Sequence, residues 1–375
     1  MPRITGSSEG PVVVTGAAGF IGSHLVKNLV EAGYTVRASV RDASRKDKTE
    51  FLLAMNDLGE GSVEIFEADL LQATNGAYDK VIAGCSAVFH VAADLRTDPA
   101  YGKGSNQQTY DAIMDGTKGV LASCQKARTV KRVMYTSSVA AVWWGSEGGR
   151  DASGREFTED DWGGLGLTDE FWNVEKQAYA KGKVDAEKYG YAWGEETGID
   201  VVSNMPSHVL GPILSKTQNF LWQKRIGEAL SGQSGHEPSS NWTGLAFPQL
   251  GYLFTGFEGA EPGFLWNIID VRDIAQAQRL MATSNVAKNG SRYILGATDE
   301  SGEPTQQELL DTLRELYPGV DVGGDWEPAA TPDLPHFKCS KAIRELGLKT
   351  YPPLQTLKDT GDSLIEFGAI ELAKK

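Results

Sequence analysis

The chain has 375 residues, of which 41% are hydrophobic and 23% are charged, and its formal net charge at pH 7 is −14. This length suits two or so domains, or one large α/β unit with an appended lobe. The acidic balance argues against a nucleic-acid partner, because proteins that bind a phosphate backbone present basic surfaces.

The sequence shows no features of a membrane-spanning or secreted protein. No apolar run approaches the roughly 20 residues that span a bilayer, and the polar stretch 1–10 lacks a signal-peptide pattern. Three cysteines and five histidines show no paired or metal-ligand spacing, so we expect no disulfide framework and no metal site. We therefore predict a cytoplasmic protein without a membrane span, whose residues 1–10 are flexible.

The first half of the chain alternates strands and helices. Helices are predicted from the glycine run to about residue 32 and over 116–127, and the Tyr/Lys segment near residue 180 forms another. This alternation predicts an α/β fold, a Rossmann doubly wound parallel sheet over residues 11–211. The predicted strands are 11–15, 34–40, 62–68, 87–91, 132–136 and 199–204.

From about Pro212 the pattern changes, and glycine, proline, serine and aromatic residues become frequent. Helices are predicted over 270–281 and 305–316. We expect residues 212–375 to form mainly a smaller substrate-binding lobe, with some segments returning to the Rossmann sheet.

A glycine-spaced run joins the first strand to the first helix. Gly16 permits the tight turn, Gly19 lets the backbone approach a pyrophosphate, and Gly22 lets the helix pack on the strand. The N–H groups of Phe20 and Ile21 then lie at the helix N-terminus, where phosphates bind. The alternative is a glycine loop without a ligand, and the three-three spacing differs from the simplest two-three fingerprint.

The end of the second strand indicates which dinucleotide binds. NAD-binding proteins usually carry an acidic residue there, whereas this strand is followed by Arg41, with Arg45, Lys46 and Lys48 close behind. Guanidinium and ammonium groups suit a 2′-phosphate, so we predict NADPH or NADP+. Asp42 argues against this choice, and a solvated basic loop is the alternative.

Two later strand ends also point to the cofactor. Asp69 and the N–H of Leu70 follow the third strand, where they can hold an adenine edge. Val91, Ala92 and Ala93 end the fourth strand with small side chains, which suits a backbone that passes close to the cofactor.

Tyr179 and Lys183 lie one helical turn apart, which places them on one face of a helix. Free tyrosine has a pKa of about 10, and a neighbouring ammonium lowers that pKa towards the working range of a proton donor. Lys183 can also hydrogen-bond the nicotinamide ribose, and Ser138 can hold the substrate oxygen. Taken alone, the pair is better explained as an ordinary amphipathic pair and Ser138 as a turn hydroxyl. Behind a dinucleotide loop, we predict a catalytic site instead.

Several runs resemble the extended short-chain dehydrogenase/reductases, and within them the dihydroflavonol 4-reductase-like group, which includes cinnamoyl-CoA reductases and microbial carbonyl reductases. The resemblance implies a Rossmann domain, NADPH and a Ser138/Tyr179/Lys183 triad. It also implies that Arg41 and Lys48 bind the 2′-phosphate, and that Pro206 to Val209 flank the nicotinamide. The runs are TGAAGFIG at 15–22, YAKGK at 179–183, and residues 33–42, 88–92, 136–138 and 206–212.

The chain also departs from this group. Many extended members have an asparagine where this chain has Ile113, which leaves the source of a fourth proton-relay residue open. The segment around Tyr179 differs from that of cinnamoyl-CoA reductases, and Trp143 stands where plant flavonoid reductases often have a polar residue. We therefore do not expect either plant activity to transfer directly.

Trp143 and Trp144 follow the catalytic strand and are predicted to contact substrate. We predict an NADPH-dependent reductase of a small-molecule ketone or aldehyde with an apolar, aromatic or long-chain body. The alternatives are a hydroxysteroid-type dehydrogenase, a nucleotide-sugar epimerase or dehydratase, and a non-catalytic NADP-sensing protein. Arg41 argues against an epimerase, and the retained Tyr and Lys argue against a sensor. A monomer and a homodimer both remain open.

Overall fold

A computed structural model describes residues 3–94, 104–143, 155–220, 222–232, 267–297, 306–323 and 336–375. The predicted α/β fold is confirmed: a parallel sheet carries helices on both faces. Its strands and those of two short ribbons are β1 (Val12–Thr15), β2 (Thr35–Val40), β3 (Ser62–Glu67), β4 (Ala87–His90), β5 (Arg132–Thr136), β6 (Glu156–Phe157), β7 (Asp200–Pro206), β8 (His208–Leu210), β9 (Ile268–Asp270), β10 (Arg292–Leu295) and β11 (His336–Phe337).

The helices of the described residues lie between these strands. The first half of the chain carries the longest of them, α4 and α6, side by side. They are α1 (Phe20–Glu31), α2 (Lys46–Leu53), α3 (Asp79–Ile82), α4 (Asn106–Ala127), α5 (Ala140–Trp143), α6 (Val174–Thr197), α7 (Trp222–Leu230), α8 (Val271–Thr283), α9 (Gln306–Leu316), α10 (Ser340–Leu346) and α11 (Pro353–Glu366).

The main sheet has seven strands in the order β10-β7-β5-β4-β1-β2-β3. Successive residues of a strand point to opposite faces, and both faces of β1 are buried. Val12 and Val14 pack in the cluster that includes α1 and α8, whereas Val13 packs in the cluster that includes α4 and α6. The central strands β1 and β4 are therefore mostly apolar, as expected for a sheet covered on both sides.

The chain order reverses at β1, which pairs with β2 on one side and with β4 on the other. In an open parallel sheet, ligands bind outside the carboxyl ends of the strands at such a reversal. The glycine loop, the end of β2 and the end of β4 all meet at this place. The fold therefore brings the separate sequence motifs to one crevice.

Segments from the C-terminal part of the chain complete the sheet. Strand β10 pairs with β7 as the seventh strand, while β8 pairs with β9 and β6 with β11 in two-stranded ribbons. A separate apolar cluster joins α7, α9 and α11. Phe20, the first residue of α1, packs against this cluster.

The flexibility predicted for residues 1–10 stays a prediction. Within this stretch, Ile4 is fully buried, and its N–H donates to the carbonyl of Ala282 at 3.3 Å. Glu9 forms an ion pair with Lys131 at 2.6 Å. Among the described helices, none is both long and apolar enough to cross a membrane.

Candidate active site

The glycine loop has a geometry that only glycine permits at two positions. Gly16 has a φ of +66°, and a Cβ there would lie 2.9 Å from the Cα of Ala92. A Cβ on Gly22 would lie 2.3 Å from the carbonyl oxygen of Gly16. The loop therefore closes tightly against both α1 and the end of β4, as a dinucleotide cradle requires.

Helix α1 begins directly after this loop, with Gly19 as its N-cap and no side chain capping it. The first intrahelical bond of its N-terminus runs from Ser23 N to Gly19 O at 2.9 Å. The N–H groups of Phe20, Ile21 and Gly22 therefore precede the helical hydrogen-bond ladder, and the helix dipole adds a partial positive charge there. This end of α1 can bind an anion.

Thr15 locks the end of β4 against this loop. Its hydroxyl accepts from the N–H groups of Val91 at 3.1 Å and Ala92 at 3.0 Å, and lies 3.0 Å from Nδ1 of His90. Since the hydroxyl oxygen already accepts two hydrogen bonds, its own proton is donated to Nδ1, which must be unprotonated. Burial, reinforced by the charge of Lys183, lowers the pKa of His90 to about 3, so the imidazole is neutral.

The carboxyl end of β2 presents exposed positive charge. The side chain of Arg41 is exposed and makes no hydrogen bond or ion pair with any residue that the structure describes, and the same holds for the side chain of the half-buried Lys48. Burial lowers the pKa of Lys48. Arg45, by contrast, is bound by Asp47 through two hydrogen bonds of 2.8 and 2.6 Å.

Asp42, which argued for NAD in the sequence, has a local structural task. Its carboxylate accepts from the N–H of Ser44 at 2.9 Å and from the Ser44 hydroxyl at 2.6 Å, and these bonds lower its pKa. The carboxylate therefore caps its own loop. Asp69 acts similarly at the end of β3, where it accepts from the N–H of Leu71 at 3.1 Å and begins the short 3-10 helix Leu70–Asn75.

Helix α6 carries both members of the predicted proton-transfer pair. Asn173 caps its N-terminus by accepting from Lys176 N at 3.0 Å, and a non-helical Gln177 kinks the helix just before Tyr179. Tyr179 is half-buried, and Nζ of Lys183 lies 5.8 Å from the centre of its ring. The kink and the i, i+4 spacing place the phenol and the ammonium on one face.

The ammonium of Lys183 is buried and points at the end of β5. It donates to the carbonyl of Thr136 at 2.9 Å, at the end of β5, and lies 5.2 Å from the ring centre of Tyr135. Burial lowers the pKa of Lys183 to about 8, and the carboxylate of Glu187 partly opposes this effect. The strand that ends just before Ser138 is therefore tied directly to α6.

Ser138 follows β5 and is half-buried; its Oγ accepts from the N–H of Ala140 at 3.2 Å. The next residue, Val139, donates its N–H to the carbonyl of Pro206 at 3.1 Å. The predicted nicotinamide segment, Pro206 to Val209, therefore lies beside the predicted catalytic serine, although the two are far apart in the sequence.

Of the two predicted substrate residues, the structure describes only Trp143. Trp143 is 5% exposed and packs against Phe337, with ring centres 6.1 Å apart, in a buried cluster. Its contact with substrate stays a prediction, and Trp144 lies outside the described residues. Ile113, which stands where many extended members have an asparagine, is buried against α6. A Cβ on Gly182 would lie 3.0 Å from its side chain.

Sequence reasoning did not single out two buried polar side chains near the candidate site. His90 contacts the hydroxyl of Thr15 and feels the charge of Lys183. Glu187 was not singled out, although it lies one turn after Lys183 and is fully buried. The signals were present: neighbouring parallel strands end together at Thr15 and His90, and the i+4 spacing continues from Tyr179 through Lys183 to Glu187.

The reversal of chain order, the glycine cradle and the Tyr/Lys face together define a dinucleotide-dependent oxidoreductase. Comparison with known proteins gives the same class. Residues 12–296 match the NAD dependent epimerase/dehydratase family. A cinnamoyl-CoA reductase (CAD2) of Medicago truncatula is 31% identical over 377 residues, covering 97% of this chain and 98% of that protein.

Solved structures of reductases share the fold. Gre2 of Candida albicans in complex with NADPH superposes with a TM-score of 0.72 at 23% identity, covering 96% of this chain and 99% of the other. Yeast methylglyoxal/isovaleraldehyde reductase Gre2, complexed with NADPH, gives a TM-score of 0.68 at 25% identity, covering 96% of this chain and 100% of the other. The chain thus belongs to the NAD dependent epimerase/dehydratase family, and is an NAD(P)-dependent reductase of the extended short-chain dehydrogenase/reductase type.

Proposed function

We propose that this protein uses NADPH to reduce the carbonyl group of a small ketone or aldehyde with an apolar body. The observation that carries the proposal is the placement of Tyr179 and Lys183 on one face of α6, behind the glycine cradle. When bound, NADPH supplies the hydride. The side chains of this chain supply the proton and the binding sites.

The cofactor is held from its phosphates outward. The N-terminus of α1 binds the pyrophosphate, and Arg41, with Lys48 behind it, binds the 2′-phosphate. Asp69 and the N–H of Leu70 hold the adenine edge, while Val91, Ala92 and Ala93 let the backbone pass close. Arg41 favours NADPH over NADH because its guanidinium is unpaired among the described residues and Asp42 is engaged with Ser44. The NADPH complexes of the Gre2 proteins support this assignment.

The nicotinamide end lies between Pro206 to Val209 and the face of α6. Lys183 donates one N–H to the carbonyl of Thr136. An ammonium has three N–H donors, so two more can bind the ribose. Its positive charge also stabilises the phenolate form of Tyr179.

Proton transfer completes the reduction. Ser138 donates a hydrogen bond to the substrate oxygen and fixes its position beside Tyr179. As the hydride reaches the carbonyl carbon, the developing alkoxide takes the phenolic proton of Tyr179. General acid catalysis of this kind contributes about 100- to 10,000-fold in rate. The phenolate that remains is stabilised by the Lys183 ammonium until a proton returns from solvent.

An apolar substrate body suits the wall beside the nicotinamide segment. His208 and Trp222 meet there edge to face, with ring centres 4.3 Å apart, and both side chains are half-buried. Aromatic walls bind apolar and aromatic groups. The reductases named among the relatives and structural neighbours act on a cinnamoyl thioester and on methylglyoxal or isovaleraldehyde, which supports a carbonyl substrate without fixing its identity.

A substrate panel tests this proposal. The purified protein is mixed with NADPH and a series of aromatic, aliphatic and steroid carbonyls, and both NADPH consumption and the alcohol product are measured. We expect turnover of aromatic and longer aliphatic carbonyls in preference to small polar ones. NADPH binding without consumption across the whole panel would contradict the proposal and favour a non-catalytic NADP-binding protein.

A further inference from the structure

A buried carboxylate lies directly behind the proton-transfer site. Glu187 follows Lys183 by one turn of α6 and is fully buried. Its two oxygens accept from three side chains: a short hydrogen bond from the Ser137 hydroxyl, one of 2.8 Å from the Tyr191 hydroxyl, and an ion pair of 2.9 Å with Nε of Arg292. A carboxylate buried in this way must be compensated, and all of its partners come from the elements around the site.

Arg292, from β10, extends this network to the segments on either side. It is 4% exposed, and its remaining N–H groups donate to the carbonyls of Glu159 at 2.8 Å and Asp161 at 2.6 Å, and to that of Ala141 at 3.3 Å. Its guanidinium carbon also lies 3.7 Å from the ring centre of Trp162. One buried arginine thus joins the sheet edge, the segment after Ser138 and the segment 159–162.

Three side-chain contacts hold the segment that carries Ser138, in addition to the backbone hydrogen bonds of Ser137 and Val139. Before Ser138, the ammonium of Lys183 donates to the carbonyl of Thr136, and Glu187 accepts from the hydroxyl of Ser137. After it, Arg292 donates to the carbonyl of Ala141. Two of these three side-chain contacts belong to Glu187 and Arg292, both of which are buried.

We propose that Glu187 and Arg292 are positioning residues of the reductase: together they fix Ser138 relative to Tyr179 and Lys183, and the Glu187 carboxylate keeps the Lys183 ammonium charged. This inference rests on the proposed function of the triad. The role of Glu187 in this inference is electrostatic and positional, and it passes no proton to the substrate.

The charges around Lys183 support the second half of this proposal. The titratable groups that face this region are Tyr179 and Tyr191 on α6, Tyr135 on β5, His90 on β4, and the Glu187–Arg292 pair. Burial keeps His90 neutral and raises the pKa values of Tyr135 and Tyr191. Glu187 is therefore the neighbouring anion that opposes the effect of burial on Lys183.

The pH dependence of reduction tests whether the charge of Glu187 acts on Lys183. Reduction requires the protonated state of the coupled Tyr179–Lys183 pair, so its rate falls as pH rises through the apparent pKa of the pair. Removing a nearby negative charge makes either proton leave more easily. In Glu187→Gln, we therefore expect the pH midpoint of kcat to fall by roughly one pH unit, while the affinity for NADPH stays at the wild-type value.

Two further variants act as matched controls. Arg292→Lys keeps the charge, so its midpoint stays at the wild-type pH even though ties to the backbone are lost. Ser137→Ala keeps both charges but removes one anchor of the segment, so kcat should fall by about tenfold with an unchanged midpoint and unchanged NADPH affinity. If Glu187→Gln does not fold, Ser137→Ala alone decides on the positioning role.

Several results would overturn the inference. A folded Glu187→Gln protein with the wild-type pH midpoint refutes the charge effect, and a Ser137→Ala protein with wild-type kcat refutes the positioning effect. Tyr179→Phe keeps the test separate from that of the proposed function. If Tyr179→Phe remains active, the triad assignment itself fails; if it is inactive while the Glu187 and Ser137 variants behave like wild type, only this inference fails.

Discussion

Removing the guanidinium of Arg41 should weaken NADPH binding without affecting NADH binding. Arg41 is exposed and contacts no described residue through a hydrogen bond or ion pair, so Arg41→Ala should leave the free energy of unfolding within about 0.5 kcal/mol of wild type. Only the interaction with the 2′-phosphate is lost. Hydrogen bonds to charged groups contribute about 1.5–3 kcal/mol, which corresponds to a roughly 10- to 150-fold rise in the dissociation constant of NADPH.

The neighbouring arginine offers a matched control. Arg45 lies in the same loop and carries the same charge, but its guanidinium is already bound by Asp47 at 2.6 Å. We expect Arg45→Ala to raise the dissociation constant of NADPH by less than about threefold, since exposed charges are largely screened by salt. Binding of NADPH and NADH to both variants is measured by cofactor fluorescence at one fixed ionic strength. Equal losses in the two variants, or an equal loss for NADH in Arg41→Ala, would refute a specific phosphate contact.

Three further variants test the packing and charges behind the site. Gly22→Ala places a Cβ 2.3 Å from the carbonyl oxygen of Gly16; the loop must shift, at a cost of about 1–3 kcal/mol, and NADPH titration should show at least about tenfold weaker binding. Burial lowers the pKa of His24 to about 4, so the unfolded chain binds a proton that the native protein does not, and stability is lost as pH falls from about 6.5 through 4. In His24→Gln the free energy of unfolding should therefore fall by roughly 3 kcal/mol less over that range than in wild type. Thermal unfolding at several pH values measures this, and a wild-type pH dependence would contradict it. Arg132 is buried together with its carboxylate partner Asp200, so Arg132→Met should lower the free energy of unfolding in urea by about 3–5 kcal/mol. Lys126→Met breaks an exposed ion pair and should lower it by less than about 1 kcal/mol. Similar losses in the two variants would contradict the difference between a buried and an exposed pair.

Local sequence patterns were sufficient for the central sheet. Short apolar runs separated by helical segments predicted β1 to β5 and β7, because a strand buried on both faces is rich in apolar residues. The glycines at 16 and 22 could also be assigned, since each has a backbone neighbour within 3 Å of where a Cβ would lie. These features depend on residues close in sequence, or on the fixed geometry of one motif.

Contacts between distant segments could not be read in the same way. Strand β10 pairs with β7, and no local sequence pattern specifies this pairing. Arg292 lies on β10, so its ion pair with Glu187 depends on this pairing. Trp143 looked like a pocket residue from its place after the catalytic strand, but its burial against Phe337 depends on the ribbon β6–β11. Aromatic side chains serve core and pocket equally well, so their sequence position alone does not decide between the two.

The most direct test of the central claim is the rate of a single turnover by Tyr179→Phe. The protein is loaded with NADPH, mixed with the best carbonyl substrate of the wild type, and the loss of NADPH absorbance is followed. If Tyr179 is the proton donor, the variant binds NADPH as tightly as wild type but reduces the substrate about 100- to 10,000-fold more slowly. A rate within about tenfold of wild type would contradict the account, because the proton would then come from another group.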